Sequence, residues 1–288
     1  MDAPLPEKFH HNWLEYSESR DLKDTENLEP CDSLLEKVSD VNQSDYRIQL
    51  ITASPGSGSD WCYSAMAMLT GHTTDSVYNY LHSKSLAELP HRALYYKTHW
   101  PFMRHFGPVD KYLSTHPVRV VLLLRNPYDA GFSEFVRQAV SSKNAYSKKY
   151  LNVESIFKES SFLESNSSDR PSRALRNHLT RFFKNWRSHH EYWLKNFTGS
   201  LKVVQYSDLV KDVTLFQDIA NYFGFDVTST PTRQRRFQCF LTKSREKEVM
   251  RRPRVAVIEN SKEKVRNSYK EKISEELEYL ESCVESRS

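Results

Sequence analysis

Glycine is scarce in this chain, with seven residues in 288 beside twelve prolines and four cysteines. So little glycine and proline excludes collagen-like and low-complexity classes. Cys31, Cys62, Cys239 and Cys283 show no CxxC or Cys/His spacing, so no zinc site is read from them. A chain of this length buries a core without covalent staples, so a disulfide framework is not required. Long hydrophobic runs are missing too. The longest is Val120-Val121-Leu122-Leu123-Leu124, far short of a bilayer span. The first residues hold no apolar stretch of the signal-peptide type, so membrane attachment is expected only through an anchor outside this chain. With 38% hydrophobic and 27% charged residues, the profile is that of an ordinary globular protein.

Charge is present but unevenly placed. Between Asp2 and Asp45 there are 12 acidic and 4 basic residues, a net of −8. Between Arg233 and Arg254 there are 9 basic and 2 acidic residues, a net of +7. The whole chain carries only +4. A concentrated basic segment in a nearly neutral protein suits either a solvated surface or a polyanionic ligand.

Residues 1–45 lack sustained periodicity and read as an acidic arm; residues 46–288 read as one domain. Tyr46–Ala53 has strand composition and runs into Ser54-Pro55-Gly56-Ser57-Gly58-Ser59-Asp60, a small-residue turn. A helix is expected over Trp61–Leu69, closed by Gly71. Leu94–Thr98, Val118–Leu124 and Leu201–Val204 are further strands, the second apolar enough to be buried on both faces of a parallel sheet. Asn126-Pro127 offers an N-cap and a first helical residue. Helices are also expected over Arg173–Lys195, from Asp208 to about Phe223-Gly224, and at the C-terminus, where Val265, Tyr269, Ile273, Leu277, Leu280 and Val284 share one face. The aromatic stripe Phe182, Phe183, Trp186, Tyr192 and Trp193 reads as core. Residues 141–172 carry ten serines and read as a mobile surface excursion. Strands alternating with helices imply a parallel α/β sheet with ligands beyond the carboxyl ends of its strands.

Those strand ends carry the chemistry. Strand, SPGSGSDW and helix form the layout of a phosphate-binding turn, in which glycines let the backbone approach an anion and the helix start attracts it. The sequence is not GxxxxGK[ST], so a Walker-type ATPase is not expected. Lys97 and His99 stand two apart in Lys97-Thr98-His99-Trp100-Pro101, which aims both at one face of a strand. Arg125 ends the buried strand, and Ser133 follows eight residues later; together they suit a second anion. Tyr206 ends the last strand. Each residue alone has a bland alternative: His99 as a loop residue, Arg125 as partner of Asp129, Tyr206 as core. Together they point to one site.

SPGSGSDW, KTHWP, RNPYDAGFS and the QYSDL after a strand together resemble the sulfotransferases that use 3′-phosphoadenosine 5′-phosphosulfate. The branch most resembled is the Golgi carbohydrate type that contains WSC-domain sulfotransferases. Agreement there includes Thr70-Gly71 with Thr74-Asp75-Ser76-Val77-Tyr78, LLLRNPYDAGFSEF, Trp186 with Tyr192-Trp193-Leu194-Lys195, and SREKEVMRRPR. The resemblance spans roughly residues 46–270. It implies a three-layer, P-loop NTPase-like α/β fold with a central parallel sheet flanked by helices. It implies transfer of a sulfuryl group from that donor to a hydroxyl acceptor, a glycan or a small molecule, without metal and without nucleic acid. Ser57, Gly58, Ser59 and Asp60 would line the 5′-phosphosulfate loop, and Trp61 would stack near the adenine. Arg125 and Ser133 would hold the 3′-phosphate, Tyr206 would contact the adenine, and Arg251 with Arg252 would close over the 3′-phosphate. His99 would be the general base and Lys97 the cation beside it. The resemblance places the protein in the Golgi lumen, with a cytoplasmic location if the chain is complete as it stands; sequons at Asn42, Asn166 and Asn196 are compatible with the former.

Two residues depart from the cytosolic pattern. Gly56 stands where that branch carries a Lys, although the WSC-type branch also has Gly. Asp60 stands where Thr is usual, and a carboxylate ~4 Å from a phosphate costs about 1–4 kcal/mol at effective dielectrics of 80 to 20. Asp60 is expected to turn away and cap the helix; a weakened or inactive site is the other outcome. The competing readings are a nucleotide-binding relative that does not turn over, and a nucleic-acid binder using residues 233–254.

Overall fold

The computed structural model describes residues 49–72, 74–77, 94–99, 101, 113, 118–141, 170–245 and 265–287. The acidic arm and most of the serine-rich segment lie outside the described residues. Five strands form one all-parallel sheet in the order β2-β3-β1-β4-β5. They are β1 (Gln49–Ala53), β2 (Thr74–Ser76), β3 (Tyr95–Thr98), β4 (Arg119–Leu124) and β5 (Ser200–Gln205). The helices are α1 (Ser59–Thr70), α2 (Pro127–Ser141), α3 (Arg170–Glu191), α4 (Tyr206–Lys211), α5 (Phe216–Tyr222), α6 (Pro231–Arg245) and α7 (Lys270–Glu285).

Strand alternation splits the sheet into two buried faces. Leu50, Tyr96, Val120, Leu122 and Leu124 meet Ala130 of α2, Phe182 and Trp186 of α3, and Leu280 of α7. Ile51, Ala53, Tyr95, Val121 and Leu123 meet α1, α5 and α6 through Met66, Leu69, Phe216, Ile219 and Phe240. The result is the expected three-layer α/β fold. Each fully buried aromatic in these layers contributes roughly 2–3 kcal/mol by leaving water, which is why the stripe on α3 is core.

Element positions follow the local signals. Asn126 Oδ1 accepts from the backbone N–H of Tyr128 (3.0 Å) and Asp129 (3.3 Å), making it the N-cap ahead of Pro127. Gly71, at φ +71°, ends α1 by donating to Ala67 O. Two expectations are corrected. The helix expected from Asp208 is two helices, because Asp212 leaves the helical conformation and its carboxylate accepts from Thr214 N–H and Oγ. The helix expected to reach Lys195 changes to a π turn over Tyr192–Asn196. The first part of the basic segment lies in helix α6, where Cys239 is disulfide-bonded. Of the serine-rich stretch 141–172, Ser141 is the last residue of α2 and Arg170 the first of α3, and residues 142–169 lie outside the described residues. The three-residue edge strand β2 had no sequence signal.

Helices leave neighbouring strands in opposite directions at one place. β1 feeds α1 on one face of the sheet, and β4, its neighbour, feeds α2 on the other. That switch point opens a crevice at the carboxyl ends of the two strands.

Candidate functional site

The turn after β1 occupies this crevice. Gly56 has φ +77°, and a Cβ there would collide with the carbonyl oxygen of Ala130 and stand 3.0 Å from the backbone N of Glu134. No side chain fits, which gives a physical reason for the missing Lys at this position. Gly58, at φ +89°, is the N-cap of α1, and its missing side chain leaves room for the Tyr206 ring. The buried hydroxyls of Ser54 and Ser57 share a 2.7 Å hydrogen bond, and Ser57 N–H donates to Ser54 O at 3.1 Å. Ser59 is buried at the first helical position.

On the β4 side, Arg125 crosses the crevice and donates to Gly56 O at 2.6 Å. Its guanidinium carbon lies 4.5 Å from the centroid of the Tyr206 ring. Trp61 meets the same ring edge-on at 5.7 Å and Phe216 at 5.0 Å. Strand ends β1, β4 and β5 therefore deliver the loop, Arg125, Tyr206 and Trp61 to one wall. Ser133 is half-buried on the second turn of α2, next to Glu134, whose backbone adjoins Gly56. Arg251 and Arg252 lie outside the described residues.

On the β3 side, His99 Nδ1 donates to Ala53 O at 2.6 Å in the neutral tautomer that leaves the lone pair on Nε2. Loss of water and the neighbouring Lys97 charge push its pKa down to about 4, against the opposing pull of the Ala53 bond, Asp60 and Glu134. Lys97 Nζ donates to the Asp60 carboxylate and stands 5.4 Å from the centroid of the Tyr63 ring. Asp60 is thus not the helix cap: Gly58 holds that position, and Asp60, two residues on, pairs with Lys97. The pair offsets the charge repulsion expected of a carboxylate at this turn.

Two residues of this cluster escaped the sequence reading. Glu134 is buried, and Arg137 holds its carboxylate with two bonds of 2.7 and 2.5 Å. Glu134 acts electrostatically on His99, and Asp60 on Arg137, so all five groups share one field. Only the i, i+3 spacing of Glu134 and Arg137, on either side of Phe135, marks them in the sequence.

The basic segment is partly structural. Arg236 is buried with its guanidinium against Gly71, and Arg233 donates to Asp226 O (3.3 Å) and Ser229 Oγ (2.7 Å) while lying over Phe225. Among the described residues, no group of three or more His, Cys, Asp or Glu side chains could hold a metal ion, and no helix is long and apolar enough to cross a membrane.

The residues fit an adenosine bisphosphate in kind. Gly56 and Gly58 hold the turn at positive φ, packed against the α2 backbone and the Tyr206 ring, α1 starts there, and Arg125 and Tyr206 offer a cation and a ring on its wall. Asp60 and Glu134 are of the wrong sign for an anion, and each is paired with a cation, Lys97 and Arg137.

The assembly defines a three-layer α/β protein with a serine- and glycine-rich turn at its topological switch point. The chain is similar to a WSCD family member of Aedes aegypti, 29% identical over 187 residues, covering 62% of this chain and 50% of that protein. It is similar to one of Drosophila melanogaster, 29% identical over 182 residues, covering 60% and 49%. The chain spans about half the length of the curated relatives it matches. No family model matches it. Among solved structures, it is similar to mouse sulfotransferase SULT7A1 complexed with PAP (TM-score 0.42, 16% identity, 74% of each chain). It is also similar to a sulfotransferase from Alicyclobacillus acidocaldarius (TM-score 0.47, 11% identity, 83% of this chain and 96% of the other).

Proposed function

We propose that this protein transfers a sulfuryl group from 3′-phosphoadenosine 5′-phosphosulfate to an acceptor hydroxyl, with a glycan as the acceptor class. The observation that carries this reading is the Arg125 bridge from β4 to Gly56, stacked on Tyr206, opposite a His99 fixed as a neutral base. A base and an anion cradle at the same strand ends are what sulfuryl transfer needs.

The donor, when bound, supplies the sulfuryl group and a bisphosphate leaving group. The turn amides and the start of α1 would receive its 5′ end, Arg125 and Ser133 its 3′-phosphate, and Tyr206 and Trp61 its adenine; Arg251 and Arg252 remain assigned by resemblance alone. His99 Nε2 would take the acceptor proton. Its depressed pKa keeps it unprotonated at neutral pH, at the cost of weaker basicity. Lys97 stands beside it, shared with Asp60.

A second reading is favoured by the Asp60–Lys97 pair: a nucleotide-binding protein that does not turn over, its nearest cation already engaged. One assay separates the two. Sulfate transfer from labelled donor to glycan and phenolic acceptors is measured for wild type and His99→Ala. Turnover that falls 10²–10⁴-fold in the variant, with bisphosphate affinity unchanged, supports the transferase. Tight nucleotide binding with no transfer by the wild type supports the second reading.

A further inference from the structure

The anion cradle carries an anion of its own. Asp60 stands in the first turn of α1, where the helix start would meet the 5′ end of a nucleotide. Its carboxylate accepts from Lys97, whose ammonium also lies over Tyr63, one turn further along α1. The side chain of Lys97 is 16% exposed and that of Asp60 is 42% exposed. The enclosed cation is thus held against the flank of α1, and the carboxylate reaches the open side of the site. None of residues 54–60 is a cation and Gly56 has no room for a side chain, so besides Lys97 the turn is met by Arg125, at Gly56 O.

We propose that Asp60 is a specificity-determining residue of the donor site. By taking up the charge of Lys97, it leaves the β3 side of the cradle without net positive charge and limits how much negative charge the 5′ end of a ligand can carry. This rests on the donor reading above. The ligand class is an adenosine phosphate whose 3′ end is gripped by Arg125 and whose 5′ end is held mainly by backbone amides. Lys97 has three N–H donors, so it can keep Asp60 and still reach a 5′ anion. The pair therefore tunes affinity at that end and does not close the site.

The test compares two ligands that differ only in the 5′-phosphate: adenosine 3′,5′-bisphosphate and adenosine 3′-monophosphate. Binding to wild type, Asp60→Asn, Asp60→Ser and Asp60→Glu is measured by calorimetry, with melting temperatures recorded beside it. Asp60→Asn is expected to bind the bisphosphate on the order of 10-fold tighter, the effect of removing one charge a few ångströms from a phosphate at a half-exposed position. Its affinity for the 3′-monophosphate should stay at the wild-type value. Asp60→Glu keeps the charge and should stay within about twofold of wild type for both ligands. Asp60→Ser repeats the test should the Asn variant fold poorly. Unchanged or weaker bisphosphate binding in both neutral variants overturns the proposal, and so does an equal gain for both ligands. Wild-type binding lost on Arg125→Ala upholds the donor reading whatever Asp60 does. If no variant binds the bisphosphate, the donor reading fails and the proposal falls with it.

Discussion

The two walls of the crevice are built by opposite means. On the β4–β5 wall, Arg125 is fixed by a backbone carbonyl and an aromatic face, so its full positive charge stays available to a ligand. Around His99, Lys97 of β3 answers Asp60 of α1 and Arg137 answers Glu134, both on α2, so charge is cancelled pair by pair. A carbonyl and a π face orient a guanidinium without neutralising it, whereas a carboxylate does both. The first wall is suited to holding an anion. The second keeps His99 neutral chiefly by burial, with the Lys97 charge adding to it, while Asp60 and Glu134 pull the other way.

The largest test of this division is Arg125→Ala. Removing a hydrogen-bonded charge that meets a ligand anion costs at least about 2 kcal/mol, or roughly 30-fold in affinity. Adenosine 3′,5′-bisphosphate should lose that much, with its thermal stabilisation of the protein. Arg125→Lys should recover little, since an ammonium cannot reproduce the planar stack on Tyr206. Lys97→Ala should cost less than Arg125→Ala. Equal losses from both variants would erase the contrast between the walls.

Acidification probes the other wall. With a His99 pKa near 4, kcat/KM should stay nearly flat from pH 8 to pH 5 and fall tenfold per unit below about 4. A base with the ordinary value of 6.5 would already be about 97% protonated at pH 5. An acid limb near 6.5 would mean that Lys97 and burial do not act on His99 as the geometry implies. The same shift carries a stability consequence. The unfolded chain takes up the proton below about 6.5 and the folded state only below about 4, so stability falls as pH drops through that window. Each such histidine contributes a slope of at most about 1.4 kcal/mol per pH unit. His190, buried in α3 and also pushed down to about 4, adds to it. Urea midpoints at pH 7.5 and 5 check the sign.

Much of this arrangement was legible in the sequence because local chemistry dictates it. Val120–Leu124 had to be a doubly buried strand, Asn126-Pro127 a helix start, and Gly71 a helix stop. The strand ends bearing Lys97, His99, Arg125 and Tyr206 followed from that order. Pairing did not follow. Asp60 next to a helix start reads as a cap, yet Gly58 takes that position and a lysine 37 residues away claims the carboxylate. Glu134 looks like one charged residue among many until α2 is laid over Gly56. The break at Asp212 was hidden because two bonds from Thr214 to one side chain outweighed an otherwise continuous helical pattern.

The smallest effect concerns Ser57, and it separates a residue that shapes the cradle from one that touches the ligand. Its hydroxyl shares a 2.7 Å bond with Ser54 Oγ, and both are fully buried. Removing one partner leaves a buried polar atom behind, so Ser57→Ala should destabilise folding by about 1 kcal/mol. Removing both in a Ser54→Ala/Ser57→Ala double variant should cost less than the sum of the two single changes, because no orphaned hydroxyl remains. The turn keeps its Ser57 N–H to Ser54 O bond in every case. Bisphosphate affinity should therefore change by less than about threefold, since backbone amides and not this hydroxyl form that end of the site. Denaturant titrations of the three variants measure the coupling, and calorimetry measures the affinity. A Ser57→Ala variant with intact stability but a tenfold loss of bisphosphate binding would move the Ser57 hydroxyl from the frame of the cradle to its ligand face. The 2.7 Å bond to Ser54 would then have to break when the nucleotide binds.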